Sequence, residues 1–442
     1  MEGVLTYFDL LLVPLYLVII LIVCSRIKSK NIDQFPEYKY FTKGIFFKLL
    51  GVSAFISIYL FYYEGGDTNA YFYGAKAVAN LLLQDFDKGL DVLFNLDSVY
   101  NNFSVFNYDT GFPPDYMWRD PKTFSVCRFT AIFSIISFNS YIVTSFLTAC
   151  FSFVGVWKLY RLFNDLYPGN SRVFAFSILF LPSLVFWGGG IMKDSYVLGA
   201  TCWITYNFYK LFIKKEKILL NLLFFTLNLV IIINTKAYVI ISLLPAMALW
   251  INSAYLTKIK NSIIKILVFP AFIFVIILAG LLAFNNLSSF MGIYGNVDST
   301  VRQAQIIQDD LTREGQYGKN NYDLGEINNS LEGLIKVAPL AIFTALFRPL
   351  FWEIGSPTMV LSVLENSILL IFTIFLLLRA GPVHIIRILI ADSFLLYCFI
   401  FSIIFAYGVG VAGTNFGALV RYKITLLPFF LPMIYIIYKK KT

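Results

Sequence analysis

The sequence predicts an all-α, polytopic membrane protein with about 11 transmembrane helices. Three observations carry this. Hydrophobic residues fill 58% of the 442 positions and charged residues only 14%, against roughly 25% charged in an average soluble domain. So little charge cannot cover a water-facing globule, and lipid is the solvent that accepts such a chain. The apolar residues gather into runs of about 20, the length of helix that crosses a hydrocarbon core about 30 Å thick. Lysines and arginines collect in alternate loops, as the cytoplasmic loops of membrane proteins do. The excess of 35 lysines and arginines over 26 aspartates and glutamates therefore reads as topology, not as a nucleic-acid surface.

The spans are expected near 4–24, 45–63, 139–158, 172–188, 194–213, 218–234, 237–254, 262–284, 357–379, 387–408 and 420–438. Together they make one integral membrane domain over 1–442. The first run begins after Glu2, without a basic start, and is expected to be a retained helix, not a cleaved signal. Five cysteines lie far apart in sequence and His384 is the single histidine. That composition argues against a disulfide framework, a zinc pattern, a histidine-ligated metal site and a Ser-His-Asp triad.

Orientation follows from the cations. Arg26, Lys28, Lys30, Lys39 and Lys43 form the first cluster, then Lys158, Arg161 and Arg172, then Lys214, Lys215 and Lys217. Lys258, Lys260 and Lys265 come next, followed by Arg379 and Arg387 and the terminal Lys439-Lys440-Lys441. Eleven alternating spans place every cluster inside, with the N-terminus outside and the C-terminus cytoplasmic. The apolar segment 338–352 would reverse the later spans if it crossed. It is short and holds Arg348-Pro349, so it is expected to be an interfacial or re-entrant helix on the outer side.

Two long loops lie outside, 64–138 and 285–356. In the first, residues 68–86 and 123–137 carry apolar positions at helical spacing and are expected to lie in the membrane interface. The second holds Arg302, Asp309, Asp310, Arg313, Glu314 and Tyr317, which suits a polar cap or flap.

The outer loops carry the residues with chemistry. Asp67 follows a span directly in Glu64-Gly65-Gly66-Asp67-Thr68, where two glycines let the backbone turn tightly. A carboxylate held at that boundary can serve as a general base; the plainer role for Asp67-Thr68 is a helix N-cap. Lys193 and Asp194 open a helix after Gly188-Gly189-Gly190. An ammonium and backbone N–H groups at a helix start suit a phosphate, and Asp194 is also positioned to ligate a divalent cation, Mg or Mn. The plainer reading is a cap with a snorkelling lysine. Lys236 lies in the tight outer turn Asn234-Thr235-Lys236, against the positive-inside trend, a position that suits a ligand. Arg348 and Glu353 bracket Pro349-Leu350-Phe351-Trp352 on the outer side. Glu365 falls inside a span, where a carboxylate needs a partner; Arg348 and Lys193 are candidates. Arg421-Tyr422-Lys423 opens the last span, where an arginine can clamp a phosphate through two hydrogen bonds or anchor the helix end.

These patches resemble the GT-C superfamily of integral-membrane glycosyltransferases. Gly65-Gly66-Asp67-Thr68 looks like the acidic motif of that superfamily's first outer loop. Pro182-Ser183, Trp187 and Lys193-Asp194 look like its second outer turn in bacterial members, and Arg421-Tyr422-Lys423 with Pro428 like the start of a late span. The likeness covers about 45–438, mostly as topology. The acidic loop follows the second span here, where the family has it after the first, so 4–24 counts as an added N-terminal span.

The resemblance implies transfer of a sugar from a polyprenyl-phosphate donor to a lipid-linked glycan or other acceptor, on the outer side of a bacterial inner membrane. Asp67 would be the base. Lys193 and Arg421 would contact the lipid phosphate, and Asp194 would be a second, metal-linked acidic residue; apart from the resemblance, Lys236, Arg348 and Glu353 map to the same outer face and with Tyr422 complete the expected substrate site. Two other readings compete. A Wzy-type O-antigen or capsule polymerase or ligase would use outer arginines without such a base. A transporter would show an internal repeat, and none is evident.

Overall fold

The computed structural model describes residues 4–94, 103–256, 321–322, 324, 331–355 and 359–441. The expected span 262–284, and the loop residues Arg302, Asp309, Asp310, Arg313, Glu314 and Tyr317, lie outside the described residues. Within the described residues the structure is helical, and the one β-type contact is an isolated bridge between Asn321 and Asn415. Two compact units are present, Met1–Asn207 with Leu223–Lys236, and Phe208–Leu222 with Ala237–Thr442.

In the first unit, α1 is Asp9–Asn31 and α2 is Phe41–Ser57, which a 3-10 turn and a π turn extend to an apolar run over Pro36–Tyr62. Next come α3 (Asp67–Gln84), α4 (Phe86–Phe94), α5 (Asp115–Trp118), α6 (Pro121–Ile136) and α7 (Tyr141–Leu166). They are followed by α8 (Ser171–Phe174), α9 (Pro182–Trp187), α10 (Lys193–Phe208) and most of α11 (Ile218–Lys236). The second unit holds α12 (Tyr238–Leu256), α13 (Leu331–Phe347), α14 (Val360–Ala380), α15 (Pro382–Ala391), α16 (Ser393–Ala412), α17 (Phe416–Tyr422) and α18 (Leu427–Lys441).

Among the described residues six helices are long and apolar enough to cross a membrane: Asp9–Asn31, Pro36–Tyr62, Tyr141–Leu166, Ile218–Lys236, Val360–Ala380 and Ser393–Ala412. A seventh span results if Phe416–Thr425 and Leu427–Lys440, bent by 65°, count as one. The chain is thus a multi-pass helical membrane protein, with fewer long apolar helices than the 11 expected. One expected span, 262–284, lies outside the described residues, and two others differ for local reasons. The run 172–188 is broken into α8, a π turn and α9, because Pro182 stops one helix and starts the next. α10 is diluted by Lys193, Asp194 and several hydroxyl and amide side chains.

The surface confirms the solvent. Leu10 of α1 is 81% exposed and Leu378 of α14 is 82% exposed, each among other exposed Leu, Ile and Val side chains on its helix. Continuous exposed apolar faces of this kind suit lipid and not water. The interior carries hydroxyls instead. In α7, Thr144, Ser145 and Thr148 each donate to the carbonyl four residues back, at 2.7, 2.8 and 3.0 Å, which satisfies them inside a helix buried from water.

Close backbone approaches set the packing of the first unit. A Cβ on Gly155 of α7 would lie 1.9 Å from the Gly199 carbonyl oxygen of α10. One on Gly51 of α2 would meet the Val185 carbonyl oxygen of α9 at 2.5 Å, and one on Gly74 of α3 the Cys127 Sγ of α6 at 2.5 Å. In the second unit Trp250 of α12 packs on Phe394 and Tyr397 of α16, with ring centroids 4.8 and 5.0 Å away. A Cβ on Gly410 would meet the Ala341 carbonyl oxygen of α13 at 2.1 Å.

Candidate functional site

The first unit gathers Asp67, Asp120, Lys122, Thr123, Lys193, Asp194 and Lys236 around the starts of α3, α6 and α10 and the end of α11. Each is positioned by its helix. Gly65 and Gly66 adopt φ of 147° and 120°, a region that favours glycine, and Gly66 takes the N-cap position of α3. Asp67 is therefore the first helical residue, exposed, and the N-cap expected of it belongs to Gly66. Thr68 beside it is buried, its hydroxyl 3.1 Å from that of Tyr141 in α7.

Asp120 caps α6. Its carboxylate accepts from the Lys122 backbone N–H at 3.0 Å and from the Thr123 hydroxyl, and Pro121 sits at N1. The Lys193 ammonium donates to Thr123 Oγ1 at 2.6 Å and lies 3.7 Å from Asp120 Oδ2. Lysine, hydroxyl and carboxylate thus form a chain across α10 and α6. The register of α10 is held by Ser195, which donates to the Gly190 carbonyl at 2.7 Å. Tyr196 holds it too, its hydroxyl 2.8 Å from that of Thr130 and 3.5 Å from that of Thr148.

Electrostatics follow from this geometry. Burial lowers the Lys193 pKa, and the charges of Asp120, Asp194 and Asp67 partly restore it. Burial would raise the Asp120 carboxyl, but the Lys193 ammonium and the hydrogen bonds from Thr123 and from the Lys122 backbone outweigh it and hold the group below the usual carboxylate range. Lys122 is lowered by burial and by Lys193, against Asp120.

Asp194 and Lys236 form an ion pair of 2.6 Å, with side chains only 5% and 9% exposed. Lys236 was expected to serve a ligand; its ammonium instead has a partner within the protein, because the end of α11 meets the start of α10. The same contact occupies an oxygen of Asp194 that a cation would need. Among the described residues no group of three His, Cys, Asp or Glu side chains could hold a metal. The run Gly188-Gly189-Gly190 was expected to join two spans at the outer surface. It is buried: a Cβ on Gly190 would meet Phe55 Cε1 at 2.1 Å and one on Gly188 would meet Lys48 Nζ at 2.9 Å. These glycines serve close packing.

The second unit holds Arg348, Glu353, Arg421 and Tyr422. Arg348 Nε donates to Glu353 Oε1 at 2.7 Å, its Nη2 reaches the same oxygen, and its Nη1 donates to Thr344 Oγ1 at 3.3 Å. The Tyr322 and Phe416 ring centroids stand 5.3 and 5.2 Å from the guanidinium. Arg348 and Glu353 thus satisfy each other. Glu365 lies within electrostatic reach of Lys423, whose ammonium donates to Asn366 Oδ1 and to the Arg348 carbonyl at 3.1 Å. Arg421 and Tyr422 are half-buried at the end of α17, with the guanidinium 6.0 Å from the Tyr422 ring.

Sequence reasoning missed Asp120, Thr123 and Lys48. The first two carry a signal: Asp-Pro-x-Thr ahead of an apolar run is a helix start. Lys48 is a lone cation inside an apolar span, and its ammonium is buried against the Leu184 carbonyl at 2.8 Å. No protein-family model matches the chain, and neither a curated protein nor a solved structure is similar to it.

Proposed function

We propose that the chain is a membrane glycosyltransferase that moves a sugar from a polyprenyl-phosphate donor to a hydroxyl acceptor on the outer side of a bacterial inner membrane, with the N-terminus outside. The observation that carries it is the chain from Lys193 through Thr123 to Asp120, with Asp67 exposed at the start of α3 and acting on Lys193 through its charge. Asp67 takes the proton from the acceptor hydroxyl as its oxygen bonds to the anomeric carbon. The bond from that carbon to the phosphate oxygen breaks, and the phosphate leaves on its lipid. Lys193 offsets the negative charge developing there, while Thr123 and Asp120 hold the ammonium in place. No step is assigned to a metal, since Asp194 accepts from Lys236.

A polymerase would rest on outer arginines. Asp67, exposed at the start of α3, favours the transferase reading over it, because a polymerase of that kind uses no such base. The test compares the glycan profile of membranes carrying wild type, Asp67→Asn or Asp120→Asn at equal abundance. Loss of one sugar at intact chain length with Asp67→Asn supports the transferase, and loss of chain length alone points to a polymerase. An unchanged profile, when deletion of the protein changes it, removes Asp67 as the base.

A further inference from the structure

Arg128 stands out among the cations of the first unit. It lies in α6, 2% exposed, and among the described residues nothing accepts a hydrogen bond from its Nε, Nη1 or Nη2. Its one marked contact is the Phe124 ring, 5.3 Å from the guanidinium carbon. Other arginines are treated differently: Arg119 has Asp115 at 2.7 Å, Arg161 has Glu37 at 3.6 Å, and Arg348 has Glu353. A guanidinium carries five N–H donors in a planar fork. Burying all of them without an acceptor or counter-charge is among the most costly arrangements a protein can hold. Burial lowers the group only to about 10, so it remains a cation at neutral pH.

The position narrows what could complete it. Arg128 is five residues beyond Thr123 on the same helix, about 7.5 Å along its axis and about 140° around it, so it opens on a different face from the hydroxyl that Lys193 grips. The Cys127 thiol lies within electrostatic reach of both Arg128 and Lys193. A planar fork that meets no oxygen among the described residues suits a tetrahedral oxyanion that accepts through two oxygens.

We propose that Arg128 is the seat of a phosphate-binding site in the first unit, filled by the phosphate of a ligand. The inference rests on the transferase reading only for the carrier of that phosphate, lipid-linked or free.

The test is the melting temperature of the purified full-length protein in nanodiscs. Inorganic phosphate or pyrophosphate is added from solution, or polyprenyl phosphate is built into the bilayer, with phosphatidylglycerol at equal charge as the control. Wild type is expected to melt higher with at least one phosphate probe beyond the control. A response to polyprenyl phosphate alone names a lipid carrier, and a response to inorganic phosphate or pyrophosphate names a soluble one. Arg128→Met is expected to melt above wild type without ligand, because an uncompensated charge is gone, and to lose the phosphate response. Arg128→Lys is expected to keep a response at about tenfold weaker affinity, lacking the fork. No response in wild type, an equal response in Arg128→Met, or ligand-free melting of Arg128→Met below wild type would overturn the site. A phosphate response that depends on Arg128, together with a glycan profile unmoved by Asp67→Asn, fails the transferase reading alone.

Discussion

Lys236 donates to Asp194 at 2.6 Å across 42 residues of sequence, and both side chains are buried. The pair ties the end of α11 to the start of α10 and so fixes Lys193, the neighbour of Asp194. Removing one partner from a buried pair costs about 3–5 kcal/mol, whereas replacing both with apolar groups is often neutral. Lys236→Met is therefore expected to lower unfolding stability in detergent by that amount, and Lys236→Met/Asp194→Leu to recover most of it. A double variant as unstable as the single one would show that the two residues do not act as a pair.

Asp120 gives the site a pH dependence with a definite sign. Its folded pKa lies below the unfolded value, so its contribution to stability is present above the ordinary carboxyl value of about 3.9 and is lost as pH falls through the lowered one. Melting temperature followed through that acid window should fall less steeply in Asp120→Asn than in wild type. Lys193→Met should flatten the same slope, because its ammonium does much of the lowering. Parallel slopes in all three proteins would refute the coupling.

The contact of α7 with α10 admits no side chain. A Cβ on Gly155 would stand 1.9 Å from the Gly199 carbonyl oxygen, and backbone cannot move aside as a flexible side chain can. Gly155→Ala is expected to cost about 1–3 kcal/mol as overpacking. Because α10 carries Lys193 and Asp194, transfer should fall with it. Unfolding measurements and the glycan profile on the same membranes check both effects.

Arg348 is held by Glu353 and by two aromatic rings. Arg348→Lys keeps the charge but not the planar fork, and is expected to destabilise the second unit by about 2 kcal/mol. Glu353→Gln should approach the same loss. An Arg348→Lys protein that melts like wild type while binding lipid phosphate more weakly would return Arg348 to the ligand.

Much of the architecture was legible along the chain. The expected runs 139–158, 218–234 and 357–379 correspond to Tyr141–Leu166, Ile218–Lys236 and Val360–Ala380. Hydropathy summed over about 20 residues is a local property, and lipid reads it directly. The run 172–188 was misjudged because its apolar count is high while Pro182 and the buried glycines serve a break and close packing.

The sequence by itself determined the solvent, the places where helices begin, and the candidates for chemistry. Asp67, Lys193 and Asp194 could each be named from a turn or a helix start. Tertiary structure alone decided which charges meet. Lys236 is held by Asp194, Arg348 by Glu353, and Lys193 reaches Asp120 through Thr123, while Arg128 is left buried without an acceptor among the described residues. Helix packing sets those distances, and no periodicity within a single helix records what stands opposite.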